Sequence, residues 1–201
     1  IPMEYIMGGN KYCNLRQMIN DELYKENIKI KEIRSREIGR NPGYNFNKRI
    51  YKYKKYKASN STEYFISCES YDGNALYGFL RLRIPPKNNK PVFNCLKNKG
   101  LIRELHVYNW LVCVGNNGSN NTTQHRGIGK KLLKMAEWIS WFHSLNGVVV
   151  ISGEGVKPYY NKRGYIDDDT FVSKTFNIKL MEFIKESIFI TIIYTLYWII
   201  N

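Results

Sequence analysis

The chain has 201 residues, 43% of them hydrophobic and 24% charged. This globular composition, with enough apolar mass for a core, excludes a fully disordered chain, a collagen-like chain and a multi-span membrane protein. Lysine and arginine number 31 against 17 acids, a net charge of +14, which points to a polyanionic partner: nucleic acid, a phosphorylated cofactor or an anionic membrane.

Part of that charge follows from the abundance of Asn, Lys, Ile and Tyr, which A/T-rich coding alone produces. Cys13, Cys68, Cys95 and Cys113 show no C-x-x-C spacing, so no zinc or iron–sulfur site is expected within the chain, and a reduced, cytoplasmic setting fits. The chain opens Ile1-Pro2 without an initiator Met or a signal peptide. It reads as a piece lacking its N-terminal part, or as an incomplete gene model.

In chain order, residues 14–25 place Leu15, Met18, Ile19 and Leu23 at helical spacing behind a capping Asn14. Ile28, Ile30 and Ile33 predict a strand over 28–38, ending among Arg34, Arg36 and Glu37. Asn41-Pro42-Gly43 breaks the chain. Residues 48–57 hold six basic residues, three tyrosines and no acid. Residues 64–67 and 76–84 predict an antiparallel pair about the turn Asp72-Gly73-Asn74. A loop follows at 85–90, then an apolar, β-prone stretch over 101–114 and an Asn/Gly/Ser loop over 115–123. Residues 130–143 predict an amphipathic helix with Leu133, Ala136, Trp138 and Ile139 among its apolar positions. Residues 148–151 predict a short strand buried on both faces. Residues 159–165 predict a turn or short helix ending at Gly164.

Residues 111–133 are the most informative. A strand leads through the loop into Gln124-His125-Arg126-Gly127-Ile128-Gly129, and then into the helix. Glycines at such a turn admit close backbone approach, and N–H groups and helix dipole converge on an anion, with pyrophosphate the natural guest. A glycine-rich βα turn alone would do as much. The pattern downstream adds weight: a buried strand, the turn Ser152-Gly153-Glu154-Gly155, and Tyr159-Tyr160-Asn161-Lys162-Arg163-Gly164-Tyr165.

This succession resembles the GNAT acetyltransferases. Arg103-Glu104-Leu105-His106-Val107-Tyr108, Gln124-His125, Val150-Ile151-Ser152-Gly153 and Tyr159-Tyr160 resemble, more narrowly, the C-terminal acetyltransferase half of the Elongator catalytic subunit family. Cys13-Asn14-Leu15-Arg16, Arg34-Ser35-Arg36-Glu37-Ile38-Gly39 and Leu80-Arg81-Leu82-Arg83 match it upstream. The resemblance implies an α/β (α+β) GNAT acetyltransferase fold, a mixed, mostly antiparallel sheet flanked by helices; a C-terminal transmembrane or hydrophobic helix, read from the residues, is where this chain departs from the family. It implies the end of a missing radical S-adenosylmethionine domain and linker over 1–40 and the GNAT domain over 41–172, leaving an amphipathic segment with a hydrophobic tail over 173–201 as the chain's own. It also implies carboxymethyl-type modification of the tRNA wobble uridine, with acetyl-CoA as the source of the two-carbon unit. The 4Fe–4S cluster and S-adenosylmethionine would be held outside this chain, with other Elongator subunits as partners. A stand-alone GNAT enzyme acetylating protein lysine is the alternative.

Carried over by position, acetyl-CoA contacts fall on Glu104, Leu105, His106, Val107, Thr123, Gln124, His125, Gly127, Gly129 and Tyr160. Tyr159 or Tyr160 is the general acid for the CoA sulfur. Thr123 stands where the family has an aromatic, and Lys157 where it has Arg, which loses the bidentate fork. Glu104 and His106 are expected on opposite faces of their strand, unable to act as an adjacent pair. Arg34, Arg36, Lys52, Lys54, Lys55, Arg81 and Arg83 are the expected RNA contacts, with Tyr51, Tyr53 and Tyr56 interleaved for base stacking.

Residues 187–201 carry no charge and include Tyr194, Tyr197 and Trp198. As a helix they span about 20 Å, short of the ~30 Å hydrocarbon core. They are read as a tail anchor on the cytosolic face of an intracellular membrane, against a docked apolar element.

Overall fold

The computed structural model describes residues 14–28, 31–40, 43–44, 48–108, 127–177 and 187. The strands form one seven-stranded sheet in the order β1-β2-β3-β4-β5-β7-β6. Its strands are β1 (Arg49–Ala58), β2 (Ser61–Ser70), β3 (Leu76–Ile84), β4 (Lys99–Val107), β5 (Gly147–Ile151), β6 (Ile166–Asp168) and β7 (Phe171–Thr175). All neighbours pair antiparallel except β4 and β5, which are parallel. The helices are α1 (Leu15–Lys25), α2 (Ile128–Phe142) and α3 (Lys157–Asn161). This is the mixed, mostly antiparallel sheet that the family resemblance implies.

Helix α2 buries Ile128, Gly129, Leu132, Leu133, Ala136 and Ser140, a stripe at helical spacing. It faces Ile66, Leu80, Leu82, Ile102, Val148 and Val150 on one side of the sheet. Trp138, expected among the apolar positions, stays 44% exposed, because it lies off that stripe. The hairpin β2–β3 forms where the turn signal places it. Asp72 accepts from the Ser70 hydroxyl at 2.5 Å, the Asn74 backbone N–H at 3.1 Å and the Asn74 side chain at 2.8 Å.

Two features of β4 position the site. Arg81 pairs with Glu104 while Leu82 pairs with Ile102, so Arg103 is an extra residue that bulges. Pairing with β5 runs only over Lys99–Ile102. From Arg103 onward, β4 has no strand on that side among the described residues.

Several expectations need correction. No strand forms among the described residues of 28–38: 3-10 turns occupy Arg34–Arg36 and Ile38–Arg40, with Glu37 in a single bridge to Leu76. Ile38 is fully buried, so its apolar character serves a plug rather than a strand. Asn14 stands at the N-cap of α1, but its side chain makes no capping bond. Ile151 is 54% exposed, unlike Val148–Val150 before it. Strand β7 runs across the expected boundary at 172 and pairs with β5 through Thr175.

No helix among the described residues is long and apolar enough to cross a membrane. The expected tail anchor lies, apart from Ser187, outside the described residues. So does the strand expected at 111–114.

Candidate active site

A cleft of about 610 Å³ opens where the C-terminal part of β4, the start of α2 and the helix α3 meet. Leu105 and Val107 line it from β4, Gly127, Gly129 and Lys130 from α2, and Val156, Tyr159, Tyr160 and Arg163 from the α3 region. The first N–H groups of α2 have no partner within the helix and carry its positive dipole end.

The two glycines serve different needs. Gly127 caps α2 with φ +76°, a left-handed conformation that favours glycine, and a Cβ there would meet nothing. Gly129 lies inside the helix, where a Cβ would run into the Tyr159 hydroxyl and lie 3.5 Å from Val107 Cγ2. A positive φ therefore constrains Gly127 and close packing constrains Gly129.

Tyr160 is 6% exposed, and burial pushes its phenol up to about 12. Burial also raises Tyr159, opposed by the Arg163 guanidinium. Both stay protonated at neutral pH and can donate a proton. Their rings meet edge to face at 5.2 Å, and Tyr160 meets Tyr165 at 5.8 Å. Tyr165 donates to Glu137 at 2.9 Å, as does Lys174 at 3.0 Å, tying the tyrosine row to α2. Arg163 lies 3.5 Å above the Tyr159 ring and donates to the Tyr159 carbonyl. Lys130, Arg163, an exposed helix start and an apolar floor from Leu105 and Val107 suit a phosphorylated ligand with an apolar arm.

The expected cofactor residues are partly gathered here. Leu105, Val107, Gly127, Gly129, Tyr159 and Tyr160 line the cleft. Thr123, Gln124 and His125 lie outside the described residues. Glu104 and His106 are not among the lining residues. They share the other face of the sheet, where His106 Nε2 is 3.1 Å from Glu104 Oε1. This corrects the expectation of opposite faces: residues two apart on a strand share a face, because side chains alternate with period two. The sequence reading missed Lys130 and Arg163. Lys130 follows the second glycine, and Arg163 stands one turn after Tyr159, so spacing could have flagged both.

Strand register places Lys52, Lys54, Arg81 and Arg83 of the expected RNA residues on one face of the sheet, but most of the set is held by carboxylates. Arg36 holds Glu69 at 3.1 Å and is nearly buried, and Lys52 holds the same carboxylate at 2.7 Å. Arg81 pairs with Glu104 at 3.2 Å. Arg83 pairs at 3.1 Å with Glu63, whose side chain is 1% exposed. Arg34 stands 3.8 Å from Glu37. Lys54 and Lys55 have no carboxylate partner among the described residues, and alternation along β1 puts them on opposite faces. Cys68 and Cys95 are free thiols, and burial pushes Cys68 up to about 11.

No family model matches the chain. It is 34% identical over 182 residues to Elongator complex protein 3 of Schizosaccharomyces pombe, covering 87% of this chain and 32% of that protein. It is 36% identical over 169 residues to the tRNA uridine(34) acetyltransferase of Dehalococcoides mccartyi, covering 82% of this chain and 36% of that one. Among solved structures, the archaeal Methanocaldococcus infernus Elp3 with an N-terminal deletion matches with a TM-score of 0.73 at 31% identity, over 88% of this chain and 42% of that chain. The chain spans about a third of the length of the curated relatives it matches.

Proposed function

We propose, from the premise that this chain is homologous over most of its length to Elongator complex protein 3 and the tRNA uridine(34) acetyltransferases, that it is an acetyl-CoA-binding acetyltransferase module. The observation that carries the reading is the convergence in one cleft of a glycine-capped helix start, an open strand edge and the Tyr159–Tyr160 pair. Backbone N–H groups at the start of α2, with Lys130 and Arg163, would hold the pyrophosphate. The edge of β4 beside Leu105 and Val107, which pairs with no strand on that side among the described residues, would offer its backbone groups to the pantetheine arm. Acetyl-CoA supplies an activated acetyl thioester. Tyr159, whose hydroxyl lies against Gly129, donates a proton to the leaving sulfur, and Tyr160 is buried behind it.

The module would supply the acetyl unit for carboxymethyl-type modification of the wobble uridine U34 of tRNA. It would act with a radical S-adenosylmethionine domain and its 4Fe–4S cluster, held outside these residues, and with other Elongator subunits in the cytoplasm. Turnover of acetyl-CoA with and without tRNA tests this. Calorimetry should show acetyl-CoA binding, and tRNA should stimulate thioester cleavage. Acetylation of a lysine peptide without any tRNA effect would favour the stand-alone protein acetyltransferase instead. Absence of acetyl-CoA binding would remove both.

A further inference from the structure

Behind the cleft, on the opposite face of β4, sits a second cluster of polar groups. The Glu104 carboxylate bridges two partners: Oε1 lies 3.1 Å from His106 Nε2, and Oε2 lies 3.2 Å from Arg81 Nε. The His106 ring is fixed on both sides. It stacks on Phe79 at 5.4 Å and 27°, and on Tyr108 at 6.3 Å and 16°. Phe79 is 2% exposed, so this ladder is anchored in the sheet. Tyr108 is in turn hydrogen-bonded to Glu37 and raised to about 12, chiefly by burial. The charged and titratable groups around His106 are thus Glu104 on β4, Tyr108 just beyond it and Arg81 on β3, with Glu37 and Arg34 reached through Tyr108. The His106 side chain is still 54% exposed.

We infer that His106 is the general base for thioester cleavage and that Glu104, braced by Arg81, is its positioning residue. The inference rests on the acetyl-CoA reading above. A carboxylate beside Nε2 favours the tautomer with the proton there, which leaves the Nδ1 lone pair to accept one. Among the described residues the sheet is open between β4 and β5 beyond Ile102. A thioester at that edge can meet Tyr159 from one face and His106 from the other. Acid and base on opposite sides of the reacting bond keep their proton transfers apart.

The step balances. A water oxygen bonds to the acetyl carbonyl carbon as its proton passes to His106 Nδ1. The carbon–sulfur bond breaks, its electron pair leaves on sulfur, and the sulfur takes the Tyr159 hydroxyl proton. The exposed imidazolium then gives its proton to solvent, and the tyrosine regains one. The products are acetate, free thiol and one released proton.

The test uses the 201-residue chain. Only three histidines occur in it, so His106→Gln identifies the His106 imidazole signals by nitrogen NMR. The Nε2–H tautomer is expected in the parent and a mixture in Glu104→Ala. Saturating acetyl-CoA should shift His106 Nδ1. In a hydrolysis assay, His106→Gln should lower kcat about 100-fold, leave KM for acetyl-CoA within about twofold, and abolish the fall in rate on the acid side. Glu104→Ala should lose less and keep that acid limb, and Glu104→Asp should partly restore the rate. A His106 signal unmoved by acetyl-CoA that calorimetry shows to be bound, or an unchanged kcat in His106→Gln, overturns the assignment while the cofactor reading stands. A parent chain that does not bind acetyl-CoA overturns both.

Discussion

At Gly129 the constraint is a hydroxyl group. The Tyr159 oxygen occupies the place a Cβ would take, while the Tyr159 Cζ would stand 3.4 Å from that Cβ, an ordinary contact. Gly129→Ala should therefore cost roughly 1–3 kcal/mol through overpacking. Adding Tyr159→Phe should recover most of that loss, since it removes the clashing atom. Gly127→Ala meets no neighbour and pays only its left-handed backbone, about 1–2 kcal/mol, with no relief from Tyr159→Phe. Urea unfolding of the single and double variants measures the coupling. Additive effects at Gly129 and Tyr159 would show that the tyrosine yields freely and that the glycine answers only to the ligand.

Among the elements, the β2–β3 hairpin rests on one carboxylate. The Ser70 hydroxyl is the largest influence on Asp72, and with the Asn74 and Tyr44 donors it holds the acid down to about 2, from an ordinary 3.8. A carboxyl depressed in the folded state stabilises fully above its unfolded pKa and loses that contribution as pH falls through the folded one. The unfolding midpoint of the parent should thus exceed that of Asp72→Asn by a constant margin at pH 5 and above. The margin should shrink between about pH 4 and pH 2. A margin independent of pH would mean that the amide replaces the carboxylate in the turn. The Asp-Gly-Asn signal was legible because a turn's hydrogen bonds are local. The short strands β6 and β7 were not, because Phe171–Thr175 gains its order from pairing with β5, some twenty residues earlier in the chain.

Over the whole molecule, the +14 charge is less available than the sequence suggests. Arg36, Lys52, Arg81 and Arg83 each face a carboxylate, and two of those carboxylates, Glu63 and Glu69, are buried. Reversing Lys52 would place a second negative charge beside Glu69 and damage the fold. Lys54→Glu with Lys55→Glu is the cleaner variant. If β1 contacts RNA phosphates, it should weaken tRNA binding and lower the salt slope by roughly one unit per lost contact, up to about two. Acetyl-CoA affinity should be untouched, since neither lysine lines the cleft. Filter binding across a salt series gives the slope, and an unchanged slope makes β1 a solvated edge.

The sequence by itself determined the β2–β3 hairpin, the helix after the glycine loop and the tyrosine pair, because period, turn chemistry and short motifs are carried by neighbouring residues; the mixed sheet came only with the family resemblance. Only the tertiary structure decided which groups meet. The bulge at Arg103 resets the alternation of β4, so Ile102 faces the core and Leu105 and Val107 face the cleft. Glu104 and His106 turn to the other side as a pair. Arg83 and Arg103 reach one buried carboxylate, Glu63, from two different strands. Such pairings depend on strand register between segments distant in sequence, and a lysine or arginine in a linear chain carries no sign of which acid will hold it.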